Sequence, residues 1–230
     1  MAFPMDPSWG TEWTGASAAE RAAALVDLLA LADALPQGLR TQGSPPLAEK
    51  VLAVDRALTD AEIEHAIGGA IALAYYGEPR TTLDIDINVF VSTERLPEIE
   101  RALQSLGIDP RHEKREAIEE QQVRLRWDAN PVHLFFSHDA LHEVMPAAVR
   151  RVPFAGATIP IVSPEHLVIR KATLDRPKDW LDIEAILVAE TPLDLEELAV
   201  WIERLATRDD PRVAKLDELV LRLGADAGAD

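Results

Sequence analysis

At 230 residues the chain is long enough for one core, or for one catalytic domain with a helical appendage. Its 47% hydrophobic and 27% charged residues fit a soluble globular protein, and the lack of cysteine excludes disulfides and thiolate metal sites, with a cytoplasmic location as the expectation. The formal net charge of −17 opposes broad, nonspecific attraction to polyphosphate, although Arg111, Lys114, Arg115, Arg124, Arg126, Arg150 and Arg151 gather positive charge mid-chain.

The opening MAFPMDPSWGTEW lacks the basic start and apolar stretch of a secretory signal, and no apolar run approaches a bilayer span, so no membrane partner is expected. Residues 1–16 carry Pro4, Pro7 and Gly10 without periodicity and are expected to be poorly ordered. An Ala/Leu-rich helix is predicted over 18–34, and PQGLRTQGSPP at 36–46 reads as a linker. The expected division is an N-terminal extension over 1–45, a main domain over 46–189 and a helical segment over 190–230.

In the main domain Leu47, Val51, Val54 and Leu58 recur at helical spacing. A short strand over 64–67 runs into Gly68-Gly69, a helix over 69–76 follows, and Gly77-Glu78-Pro79 breaks it. Over 82–91, Leu83, Ile85, Ile87, Val89 and Val91 point one way and Asp84, Asp86 and Asn88 the other, as in a strand. A helix over 96–106 stops at Gly107. Strands over 123–127 and 132–136 are joined by Asp128-Ala129-Asn130-Pro131, read as a hairpin turn.

A helix over 140–149 and a hairpin of 151–154 with 158–162 around Gly156 come next. Ser163 as N-cap and Pro164 at the first position open a helix that runs to about residue 174. Arg176-Pro177 restarts the chain into a helix over 179–189, and amphipathic helices over 193–206 and 210–223 follow. The fold class is α+β, a mixed sheet with flanking helices and a helical carboxyl end.

Two carboxylates two residues apart on a strand share a face and lie within roughly 7 Å. Asp84 and Asp86 so placed repel each other unless something neutralises them, and Mg²⁺ does so through carboxylate and phosphate oxygens. The plainer reading is a half-buried strand turning its polar face to water. Gly68-Gly69, at a strand-to-helix junction one helix upstream, lets backbone N–H groups approach an anion, or simply makes a tight turn. His138 and His142 share an i,i+4 spacing without the H-E-x-x-H pattern and read as incidental. Trp127, Phe135, Phe136, Phe154 and Trp180 read as core aromatics.

Gly68-Gly69 followed by Arg80-x-Thr82-x-Asp84-x-Asp86 resembles the glycine pair and Asp-x-Asp signature of the nucleotidyltransferase superfamily. The later run Lys171-Ala-Thr-Leu-Asp-Arg176-Pro-Lys-Asp179-Trp-Leu-Asp182 is similar to a segment of the AbiEii-type branch, toxins of type IV toxin–antitoxin systems. The resemblance implies a mixed sheet whose edge holds Mg²⁺ (or Mn²⁺) through Asp84 and Asp86. It implies Gly68, Gly69 and Arg80 or Thr82 near the phosphates of an NTP, with Lys171 binding phosphate and Asp179 and Asp182 ordering the second half of the site. It also implies a tRNA or protein acceptor and an antitoxin partner. From the residues alone, Lys171 with Asp175 and Lys178 with Asp182 read as i,i+4 pairs on solvated helix faces.

One position departs from that pattern. The superfamily usually carries a third carboxylate on a later strand, and here the strand reads Pro131-Val-His133-Leu-Phe-Phe136. Histidine can accept a proton near neutral pH but cannot bridge two Mg²⁺ ions. Either His133 acts as the base beside a single metal, or catalysis is weakened or lost. In the second case the fold serves as a nucleotide-sensing or protein-interaction module.

Overall fold

The computed structural model describes residues 16–34, 43–108, 121–189, 191–206 and 209–226. The expectations for residues 1–15, for linker residues 36–42 and for Arg111, Lys114 and Arg115 lie outside them. In chain order the elements are α1 (Ala18–Ala34), α2 (Leu47–Asp60), β1 (His65–Ile67), α3 (Gly69–Leu73), β2 (Ile85–Val89), α4 (Leu96–Gln104), β3 (Gln122–Trp127) and β4 (Asn130–Phe136). Then come α5 (Ala140–Val144), β5 (Arg150–Phe154), β6 (Ala157–Ile161), α6 (Pro164–Leu174), α7 (Pro177–Val188), α8 (Leu195–Leu205) and α9 (Pro211–Asp226).

Among the described residues six strands form one mixed sheet in the order β3-β4-β2-β1-β6-β5. β2 runs antiparallel to β1 and parallel to β4, while β3 and β5 return antiparallel along β4 and β6. The fold is therefore α+β, with short strands whose apolar residues are buried and with helices that cover them. Leu47, Val51, Val54 and Leu58 of α2 are all fully buried, as their spacing predicts, and α2 packs on α1, α4 and β6. Leu25 and Leu29 of α1 join the same core. So do Leu198, Trp201 and Ile202 of α8, which packs on α6. No helix among the described residues is long and apolar enough to cross a membrane.

Several elements are shorter or placed differently than the sequence predicts. The helix expected over 69–76 ends at Leu73, and the next turn is pinned by its tyrosines. Tyr75 donates its hydroxyl to the Pro153 carbonyl at 2.6 Å and Tyr76 to the Val162 carbonyl at 2.9 Å. The strand expected over 82–91 is confined to Ile85–Val89, which leaves Asp84 just ahead of it. Asn130 and Pro131 belong to β4 rather than to a four-residue turn, because Asp128 takes a positive φ of 52° and closes the hairpin within two residues. The helix expected over 140–149 is α5 followed by a 3₁₀ turn, Met145–Ala148, where Pro146 cannot continue the α-helical bonding.

Candidate active site

β1 is buried along its whole length and delivers the chain to the glycine pair at the sheet's centre. The Gly68 N–H donates to the Asp86 carbonyl at 2.8 Å. A Cβ on Gly68 would lie 2.8 Å from Asn88 Nδ2, so a side chain there would have to displace the Asn88 amide. Gly69 has a φ of +56°, and a Cβ there would lie 1.9 Å from Asp86 Oδ2. The Asp86 carboxylate thus occupies the space that a side chain at residue 69 would fill.

On the other side of β2, the parallel pairing with β4 sets Asp86 opposite His133. The two side chains meet, His133 Nδ1 lying 3.0 Å from Asp86 Oδ1. A carboxylate only accepts, so the contact assigns the proton to Nδ1 and leaves Nε2 as the ring's lone-pair nitrogen whenever the ring is neutral. The antiparallel pairing of β3 then sets Arg124 opposite His133.

These strand faces form one wall of a cavity of about 480 Å³, and α6 with the start of α7 forms the other. Gly69, Asp84, Asp86, His133, Lys171 and Asp179 all line it. Gly68, Arg80, Thr82 and Asp182 are not among the residues that line it. Thr82 Oγ1 accepts from the Asp84 N–H at 3.1 Å. Arg80 grips Asp182 through two nitrogens, at 3.0 and 3.1 Å.

The helical i,i+4 pairs expected on solvated faces do not form. Asp175 ends α6 in a left-handed conformation and accepts from Trp180 Nε1 at 2.7 Å, which turns its carboxylate away from Lys171. Lys171 instead reaches across to α7, where its Nζ lies 2.5 Å from Asp182 Oδ2 and 3.8 Å from Asp179 Oδ1. Arg176 holds Asp179 through two nitrogens at 2.6 and 3.0 Å. Asp179, Asp182 and Lys171 are buried, so this is an interior network rather than a surface lacing. Burial alone would raise the Asp182 pKa, but the bonds from Arg80 and Lys171 outweigh it and hold the carboxyl below its ordinary value. The bond to Asp179 raises the Arg176 pKa against the opposing effect of burial, and the charges of Asp86 and Asp182 add to the increase.

The cavity also contains residues not named as site candidates from sequence: Asn88, Gln122, Arg124, Phe135, Arg170, Arg176 and Lys178. Phe135 is not a core aromatic, because strand alternation puts it on the same face of β4 as His133. Arg170 was findable, since Leu167, Arg170, Lys171 and Leu174 follow helical spacing and share one face of α6. Arg170 Nη1 donates to Asp139 Oδ2 at 3.1 Å. Burial depresses its pKa and Asp139 partly restores it.

His138 and His142, read as incidental from sequence, both meet Asp139. Together with Asp139 they bring one ligand atom each within 4.8 Å of one another. Asp139 caps α5, accepting from the His142 N–H at 3.0 Å and meeting His142 Nδ1 at 2.9 Å, so the cluster ties the end of β4 to Arg170.

A family model described as the nucleotidyl transferase AbiEii toxin of type IV TA systems matches residues 51–226. No curated protein matches the chain. Among solved structures, the antibiotic-resistance factor ANT(2'')-Ia in solution superposes with a TM-score of 0.51 at 18% identity, over 76% of this chain and 97% of its own. ANT(2'')-Ia in complex with adenylyl-2''-tobramycin superposes with a TM-score of 0.51 at 17% identity, over 71% of this chain and 98% of its own. At such identities the likeness is one of fold.

Proposed function

The chain belongs to the AbiEii nucleotidyltransferase toxin family, and from that premise we propose that it moves an NMP from an NTP to a hydroxyl of a tRNA or protein acceptor in a Mg²⁺-dependent reaction. One observation carries this reading. Asp84, Asp86 and His133 face a cavity whose opposite wall presents Arg170, Lys171, Arg176 and Lys178. Asp84 and Asp86 on the strand wall and the preponderance of cations on the helix wall suit a metal-bound triphosphate lying between them.

The donor set fits the cation. Asp84 and Asp86 offer hard oxygen ligands, and Gly69 leaves the Asp86 carboxylate room beside the backbone. Asp84 and Asp86 would hold Mg²⁺ (or Mn²⁺), which when bound would polarise phosphate oxygens. The chain's own groups supply the rest. The acceptor oxygen attacks the α-phosphorus, a new P–O bond forms, and the α–β bridging bond breaks to release pyrophosphate. His133 Nε2 takes the acceptor's proton while Asp86 holds Nδ1–H. Gly68-Gly69 brings backbone close to the phosphates, and Arg170, Arg176 and Lys178 balance their charge. Lys171 is committed to Asp179 and Asp182 and orders that wall.

An antitoxin partner and a cytoplasmic setting accompany the toxin reading. Labelled NTPs, Mg²⁺, total tRNA and cell protein supply the test. Wild type is expected to label an acceptor, Asp84→Ala to abolish labelling, and His133→Gln to lower it by about 10²-fold or more while NTP affinity by calorimetry stays within about twofold. Absence of labelling, with NTP affinity equal in wild type and Asp84→Ala, refutes the proposal. Tight Mg²⁺-dependent NTP binding without labelling favours the second reading, a nucleotide-sensing module, for which histidine at the third-carboxylate position is the motivating observation.

A further inference from the structure

Asp84 precedes β2 and lacks the ladder bonds that fix Asp86. Two side chains hold its backbone instead. Thr82 Oγ1 accepts the Asp84 N–H at 3.1 Å, and Asn130 Nδ2 donates to the Leu83 carbonyl at 3.0 Å. Asn130 is 2% exposed, and its Oδ1 accepts from Lys50 Nζ at 2.8 Å. An ammonium has no lone pair to offer, so Lys50 dictates which way the amide faces: Oδ1 toward the lysine and Nδ2 toward Leu83.

Lys50 itself lies in the first turn of α2 and is 0% exposed. It also donates to the Trp127 carbonyl at 3.2 Å and lies 3.3 Å from Asp128 Oδ2 and 5.4 Å from the centre of the Trp127 ring. Burying an ammonium is costly, and an apolar side chain of similar length would fill the same space at no such cost. What an apolar side chain could not do is orient Asn130. The chain of bonds runs from α2 through the first residue of β4 to the peptide that carries Asp84.

We propose that Lys50 and Asn130 are positioning residues that hold Asp84 beside Asp86 for the divalent cation. The inference rests on the metal role given to Asp84 above. It is tested on the full chain with Mn²⁺ as the probe, using Asn130→Ala, Lys50→Met, Lys50→Arg and the reference variant Asp84→Ala. Electron paramagnetic resonance titration is expected to show Mn²⁺ affinity about tenfold weaker in Asn130→Ala and Lys50→Met, with partial recovery in Lys50→Arg. Combining either weakened variant with Asp84→Ala adds no further loss, because the clamp acts through that residue.

Hydrogen exchange of the metal-free protein is the second readout. The amides of residues 83–86 exchange faster in Asn130→Ala, while those of β1 and β6 keep their wild-type rates. Wild-type Mn²⁺ affinity in Asn130→Ala together with unchanged exchange at 83–86 overturns the inference, and so does a lowered melting temperature with Mn²⁺ affinity intact. Equal Mn²⁺ affinity in wild type and Asp84→Ala refutes the metal role itself, and the exchange rates at 83–86 then decide the clamp alone.

Discussion

At Gly69 two constraints meet in one residue. The backbone φ of +56° is strained for any side chain, and the Asp86 carboxylate already fills the space a methyl group would need. Gly69→Ala is therefore expected to cost about 1–3 kcal/mol of stability and to push Asp86 off His133. Denaturant titration measures the first effect, and loss of Mg²⁺-dependent NTP binding measures the second. A variant that keeps both stability and binding would show that Asp86 can move without consequence. The same residue illustrates what sequence can reveal. A Gly-Gly pair at a strand-to-helix junction is visible in the chain, but that Asp86 is the group lying against it is a fact of sheet pairing.

At the scale of elements, α6, α7 and the segment around Arg80 are joined by charges that face inward. Asp182 is the hub, bonded to Arg80 and Lys171. Its folded-state pKa is depressed, so its stabilising contribution is present above the unfolded value of about 4 and fades as the pH falls through the folded value. Asp182→Asn leaves Lys171 buried without its closest anion and is expected to cost about 3 kcal/mol at pH 7. Thermal melts across pH should show the gap to wild type narrowing below about pH 4. A gap that does not change with pH would mean that the hydrogen bonds matter and the charge does not.

Helix α2 was legible because its buried leucines and valines follow a local period, and α6 because Ser163-Pro164 is a local start signal. The partners of Lys171 were not legible, since the i,i+4 rule describes a single helix and the lysine bonds to the next one. Asn130-Pro131 carries a strong turn signal, yet Asn130 is drawn into β4, where Lys50 and Leu83 bond its amide. Phe135 was misplaced for a similar reason. Strand alternation put it opposite the core, but only the packing of α6 over that face makes a cavity of it.

At the scale of the whole molecule, the two last helices are part of the core that backs the cavity. Leu198, Trp201, Ile202, Val213 and Leu216 are all buried. At about 2 kcal/mol each, losing these five side chains removes an amount comparable to the total stability of a typical domain, about 5–15 kcal/mol. A chain cut after residue 189 is thus expected to lose its cooperative melt and to bind a hydrophobic dye, readouts that an independently folded main domain would leave unchanged. Among the described residues the sheet ends at β3 on one side and β5 on the other. Arg124 and Arg126 are exposed on the first, and Arg150, Arg151 and Pro153 on the second. A neighbouring chain that offered a strand to either border would have to bury arginines, and on β5 it would also meet a proline with no N–H to give, so the sheet discourages its own extension into aggregates.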